Sequence, residues 1–183
     1  MNKQIIFSCL LTVVVVLSAC SRSPQFEVRG EVRGAEGQTL YLEHTGLLMT
    51  EVEDSCQLTA DGQYVLHGAA PVYPDFYRLR VGSNYAVLVV DSIETITLRT
   101  TADSLPLTEG FLGSPQSVKV AELRQSLRSK TMDEHRQFAQ SVILQNPRSM
   151  VAYYAVFQSK QGVPVFDIFD PQQRKYYQVV ATS

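Results

Sequence analysis

Cysteines are the side chains in this 183-residue sequence with the most reactive chemistry, and their positions restrict what they can do. Cys20 follows Leu17, Ser18 and Ala19 at the end of an apolar run that begins at Ile5. A leucine, two small residues and a cysteine are typical of a bacterial lipobox, where the small residues give a peptidase access and the thiol takes a diacylglycerol. The order of these residues predicts lipidation at Cys20 and cleavage before it.

Residues 1–19 have the pattern of a secretory signal peptide. Lys3 is the only charge before residue 22, and the apolar run of about thirteen residues is shorter than the 20 or so that span a bilayer. An incidental cysteine after a plain secretory signal is the alternative, and the order of the motif favours the lipobox. In the Gram-negative lipoproteins that this leader resembles, aspartate after the cysteine favours the inner membrane. Ser21 at that position therefore favours an outer-membrane anchor facing the periplasm, with residues 20–25 as a lipidated tether.

The mature chain keeps one unmodified thiol. Cys9 leaves with the leader and Cys20 takes the lipid, so only Cys56 remains. An internal disulfide and a Cys-x-x-Cys pair are therefore excluded. Cys56 could form a mixed disulfide with a partner, but the absence of a basic neighbour in sequence favours a small buried hydrophobe.

Metal, cofactor and nucleic-acid sites are not predicted. The histidines lack the local pairing of a zinc site, so we expect no metal; they are His44, His67 and His135. The formal net charge is −2, and removal of Lys3 with the leader makes it −3, whereas nucleic-acid binding favours a basic stripe. No catalytic motif is present, and we expect neither a catalytic residue nor a cofactor.

An aromatic cluster around Pro74 is the most distinctive candidate for ligand binding. Its members are Tyr73, Asp75, Phe76 and Tyr77. Exposed rings beside a fixed proline turn could stack on a sugar or bind a peptide. The alternative is the start of a strand whose alternate rings fill the core, and this interpretation is favoured because aromatic residues are mostly buried.

Alternation of apolar and polar residues predicts a β-rich domain over residues 26–112, an antiparallel β-sandwich or open barrel. The Asp61-Gly62 pair predicts a hairpin turn, because glycine accepts the positive φ that a tight turn needs. The predicted strands cover residues 26–32, 39–43, 52–58, 63–67, 76–81, 85–90 and 95–100.

Residues 113–183 change to a helical period and predict three or four α-helices that form a connector, with truncation at the last helix as one interpretation. Ser114, Ser149 and Asp170 are N-caps, and proline follows Ser114 and Asp170 at the first helical position. The pairs Tyr153/Tyr154 and Tyr176/Tyr177 are interpreted as helix packing, with a docking face for a missing domain as the functional alternative.

Three groups of motifs together resemble a known domain. They are Phe26-x-Val28-x-Gly30 with Leu40-Tyr41-Leu42, Asp54-Ser55 with Asp61-Gly62-Gln63-Tyr64, and Gly113-Ser114 with Asn146-Pro147-x-Ser149. Their order resembles the N-terminal domain of unknown function in TlpA/ResA-type envelope lipoproteins, where a β-rich domain and helices precede a thioredoxin-like domain. The resemblance implies an association with thiol–disulfide exchange. It transfers no catalytic residue, because no position matches the Cys-x-x-Cys motif of that family.

Two functions of different class follow as hypotheses. The first is a non-catalytic accessory domain of a cell-envelope lipoprotein, whose partner is a thioredoxin-like domain or an envelope protein client. It predicts an apolar face on the last helices. The second is an autonomous glycan- or peptide-binding lipoprotein, which predicts an exposed aromatic shelf on the sheet. An enzyme in its own right is the least favoured interpretation.

Overall fold

The computed structural model describes residues 24–46, 48–107 and 110–182. The predicted signal peptide, Cys20 and most of the predicted tether lie outside these residues. Within the described ranges, no helix combines the length and apolar character that crossing a membrane requires.

Eight strands form two four-stranded sheets, in the order β4-β1-β7-β8 for the first and β3-β2-β5-β6 for the second. A two-stranded ribbon, β9 and β10, lies between the last two helices. The strands are β1 (Gln25–Arg33), β2 (Thr39–Thr45), β3 (Thr50–Gln57), β4 (Gln63–Ala69), β5 (Asp75–Val81), β6 (Asn84–Val90), β7 (Thr95–Thr101), β8 (Phe111–Leu112), β9 (Ser159–Lys160) and β10 (Val163–Pro164).

The apolar residues that recur at every second position of the strands form the core between the sheets. Alternate residues of the inner strands point inward and are fully buried, as Phe26 and Val28 of β1 and Leu40 and Leu42 of β2 show. The sheets do not close into a barrel. The predicted β-rich fold followed by helices is therefore confirmed.

Two details of the predicted sheet are wrong. β1 pairs with β7 in parallel, Val28 lying opposite Ile96, so the sandwich is not wholly antiparallel. The turn at Asp61-Gly62 forms, with Gly62 at φ 67°, but it does not make a hairpin. β3 pairs with β2 and β4 pairs with β1, so this turn carries the chain from one sheet to the other.

Acidic side chains join the sheet edges that this turn connects. Asp54 of β3 accepts a hydrogen bond from the backbone N–H of His67 at 2.9 Å, and Glu53 accepts one from Ala69 at 3.4 Å. Backbone groups at a sheet edge need partners. Because carboxylates bond to these two N–H groups of β4, the edges meet without a continuous backbone ladder.

The predicted helices are confirmed, and Thr131 and Glu134 form a capping box at the start of the second. The helices are α1 (Pro115–Ser129), α2 (Met132–Gln145), α3 (Met150–Val156) and α4 (Pro171–Ala181). Ser114, Ser149 and Asp170 each accept a backbone N–H at the helix N-terminus, as their sequence positions predict. The helices share a second apolar core with the outer face of β6, which contributes the buried Val89.

The N-terminus of α1 covers the free edge of β6. The Ser117 hydroxyl accepts a hydrogen bond from the N–H of Val89 at 2.9 Å, and the Ser114 hydroxyl donates to the carbonyl of Val89 at 2.9 Å. Both serines are buried. Two side chains thus take the place that a further strand would occupy beside β6.

Candidate functional site

The four predicted ligand-binding residues do not all come together in one site: Asp75 and Phe76 line one depression, and Tyr73 and Tyr77 do not. Tyr73 lies exposed in the loop before β5, whereas Tyr77 is 3% exposed and packs edge-on against Phe26 in the sandwich core. Burial, with the charges of Glu53 and Asp75, raises the pKa of Tyr77 to about 12. Because neighbouring residues of a strand face opposite sides of the sheet, Phe76 points to the outer face instead.

Asp75 pairs with His44 at the start of β5. Its carboxylate lies 2.8 Å from Nε2 of His44, and the His44 ring stacks at 4.9 Å on Tyr77. This pair orders the end of β2 against the start of β5. Of the four predicted residues, Asp75 and Phe76 line the groove between the sheet and the helices.

An aromatic row runs from the sheet across two helices. It consists of Phe76, Tyr153, Phe157 and Tyr177, with ring centroids 6.3, 4.8 and 5.5 Å apart in that order. Tyr153 is 40% exposed and Phe157 is 59% exposed. Rings in such contact hold one another in place, so the row presents a preformed apolar surface.

Three adjoining depressions meet at Phe76. The largest, about 430 Å³, lies between Gly46 and Met150 at the start of α3. A second of about 290 Å³ follows the row to Phe157. The third, about 240 Å³, has Arg78 and Arg124 in its wall. Together they form the Phe76 groove, a concave surface of the kind that binds ligands or partner side chains.

A buried carboxylate organises the sheet beside the groove. Glu43 is 3% exposed and pairs with Arg78 and, at 2.7 Å, with Arg80. Burial alone would raise the pKa of Glu43, but the hydrogen bonds and charges of the two guanidinium groups outweigh it and leave the pKa below its usual value. One carboxylate between two cations leaves this face with net positive charge.

Guanidinium groups also cover the tyrosine rings on this face of the sheet. Arg80 lies 4.4 Å from the centre of the Tyr41 ring, and Arg124 and Arg78 lie 4.9 and 5.6 Å from that of Tyr85. A sugar needs an open ring face to stack on. Tyr41 and Tyr85 already use ring faces for cations, so the exposed rings that line the groove are Tyr153 and Phe157.

A buried network of hydrogen bonds joins the helices behind the groove. Nδ1 of His135 lies 3.0 Å from the Ser126 hydroxyl, and Nε2 lies 3.1 Å from Oε1 of Gln158. Burial lowers the pKa of His135 and outweighs its bond to Gln158, so the neutral ring is favoured. Among the described residues, Nε2 of Gln158 has no hydrogen-bond partner, and Gln158 lines the groove.

Cys56 packs against the sandwich core and is half-buried. Burial and the nearby charge of Asp54 raise the pKa of its thiol, which favours the unreactive thiol form. No three His, Cys, Asp or Glu side chains within the described ranges are grouped closely enough to hold a metal ion.

The arginine contacts of the sheet were not predicted from the sequence. Arg78 and Arg80 alternate with the buried Tyr77, Leu79 and Val81. This alternation places both arginines on the outer face of the sheet. It is the signal in the sequence that could have predicted their contacts there. Glu43 has no comparable signal, because its burial depends on the strand that happens to lie beside β2.

Comparisons with known proteins give no family for this chain. No family model matches it, and no curated protein matches it. Among solved structures, a 9R-lipoxygenase from Cyanothece PCC8801 aligns with a TM-score of 0.31 at 10% identity, over 76% of this chain. The aligned part spans 28% of the lipoxygenase chain.

Proposed function

We propose that this chain is a lipid-anchored, non-catalytic accessory domain of the cell envelope that docks a protein partner on its C-terminal helices. The exposed aromatic row carries the proposal. Tyr153 and Phe157 lie on and directly after α3, which is where the accessory hypothesis expects an apolar face. A preformed row beside a groove is the pattern of an interface core, where aromatic anchors contribute most of the affinity.

A glycan shelf on the sheet receives less support. The rings of Tyr41 and Tyr85 carry guanidinium groups, and Tyr77 is inside the core. The positive charge of Arg78 and Arg124 at the groove suits a partner that presents acidic groups around an apolar contact. A protein surface offers both.

The link to thiol–disulfide exchange rests on the resemblance of the motifs to TlpA/ResA-type lipoproteins. Cys56 is half-buried with a raised thiol pKa, so any dithiol chemistry belongs to the partner. In this proposal the domain positions a thioredoxin-like domain or its client near the membrane.

Photocrosslinking in cells tests the docking face. A photoreactive phenylalanine analogue replaces Phe157 in the full-length protein, and the matched control replaces Val65, an apolar residue of β4 that is also exposed. We expect a protein adduct at position 157 and none at 65. Equal adducts at both positions, or none at 157, would refute docking. An adduct with a protein that has no Cys-x-x-Cys motif would refute the thiol–disulfide assignment alone.

A further inference from the structure

The loop tips at one end of the sandwich are apolar. Three loops meet there, at residues 46 and 48–49, at 70–74 and at 91–94, because the strands that enter them end side by side. Their large exposed side chains are between 63% and 96% exposed: Leu48, Met49, Val72, Tyr73 and Ile93. Exposed apolar groups concentrated at one end usually mark an interaction site.

The opposite end of the sandwich provides an internal comparison. Its loops cover residues 34–38, 58–62, 82–83 and 102–107, and their exposed residues include Glu36, Asp61 and Ser83. Among the described residues of these loops, Leu107 is the one large apolar side chain that is exposed. The apolar tips are therefore a property of one end of the sandwich and not of the sandwich loops in general.

The apolar end is also where the chain enters the domain. The carbonyl of Pro24 accepts a hydrogen bond from the N–H of Ala70, and the N–H of Glu27 donates to the carbonyl of Glu94, both at 2.9 Å. These bonds fix the start of β1 between the second and third apolar loops. The segment that leads back to Cys20 thus leaves from the apolar end.

The length of that segment limits the distance to the anchor. Five Cα–Cα steps separate Cys20 from Gln25, and an extended chain covers at most about 3.6 Å per residue, or about 18 Å in all. A lipid on Cys20 lies in the membrane, so the loops are held near the headgroups. This step rests on the proposed lipid anchoring.

We infer that this end of the domain lies against the phospholipid surface, with the apolar tips inserted between the headgroups. Leucine, valine and isoleucine suit the acyl boundary, and a tyrosine suits the interface, where one end of the ring is apolar and the other wet. Glu51, Asp91 and Glu94 lie beside the tips, so the contact is apolar and not driven by anionic lipid. The occupant is a zwitterionic phospholipid surface.

The chain has no tryptophan, so one introduced tryptophan reports a single position. Tyr73→Trp places it at an apolar tip, and Ser83→Trp places the matched control in an exposed turn at the opposite end. Each full-length, lipidated variant is reconstituted into phosphatidylcholine vesicles whose acyl chains are brominated. We expect the Tyr73→Trp emission to shift to the blue and to be quenched by bromine, and the Ser83→Trp emission to do neither.

Each outcome bears on a separate claim. Quenching of neither tryptophan in protein that floats with the vesicles would overturn the inference and leave the anchor intact. Quenching that requires phosphatidylglycerol and disappears in high salt would overturn it in favour of an electrostatic contact. A mature mass without a diacylglycerol, together with failure to float, would instead refute the proposed anchoring.

Discussion

Removal of the Ser117 hydroxyl tests how the helices are joined to the sheet. Ser117 is fully buried, and its hydroxyl accepts the backbone N–H of Val89. Ser117→Ala leaves that N–H without a partner in a buried interface, and a buried unsatisfied donor costs about 1–3 kcal/mol. For a domain of this size a loss of about 2 kcal/mol lowers Tm by about 4–8 °C.

Ser129→Ala is the matched control, because Ser129 lies in the same helix and its exposed hydroxyl bonds only to the carbonyl of Gln125. Urea unfolding should show a change within about 0.5 kcal/mol for the control. Hydrogen exchange should show faster exchange of the Val89 amide in Ser117→Ala alone. Equal stability of the two variants, with Val89 protected in both, would refute the view that α1 serves as the edge partner of β6.

Three further perturbations test other parts of the structure. Glu43→Ala should lower the free energy of unfolding by about 1–3 kcal/mol, since it leaves two arginines unpaired that are a quarter to a third exposed; an unchanged urea midpoint would contradict this. The folded-state pKa of His135 is lowered, so the unfolded state binds the proton more tightly and stability is lost as pH falls below about 6.5. In thermal unfolding from pH 7.5 to 5.5, His135→Gln should therefore lose less stability than the wild type. The same decrease of Tm with pH in both proteins would contradict this prediction. Gly30→Ala should destabilise more than Gly34→Ala, because a Cβ at Gly30 would lie 1.8 Å from the Leu98 carbonyl oxygen whereas one at Gly34 meets nothing within 4 Å; equal urea midpoints would show that β1 can move away from β7.

Local signals in the sequence account for most of the secondary structure. Ser114-Pro115 and Asp170-Pro171 start helices as their chemistry predicts, because cap and proline both act within one turn. Local signals of this kind do not determine which strands pair with each other. Asp61-Gly62 forms a turn in either a hairpin or a crossing between sheets, so the sequence cannot distinguish them. The parallel pairing of β1 with β7 joins residues about seventy positions apart, which no local pattern encodes.

The candidate site was only partly predictable for the same reason. The period of two along β5 determines that Phe76 and Tyr77 face opposite ways, and the favoured strand interpretation already contained that separation. The aromatic row depends on α3 packing beside β5, so Tyr153 and Phe157 become neighbours of Phe76 only in the folded chain. Their exposure likewise follows from which face α3 buries.

Affinity between this domain and the protein that crosslinks at position 157 tests the docking proposal most directly. Isothermal titration compares the wild type with Phe157→Ser and with Val65→Ser, which removes an exposed apolar residue from the sheet. An anchor residue contributes at least about 1.4 kcal/mol, so Phe157→Ser should weaken binding about tenfold or more while Val65→Ser leaves it within about twofold. Wild-type affinity for Phe157→Ser, or equal losses for the two variants, would contradict docking through the aromatic row.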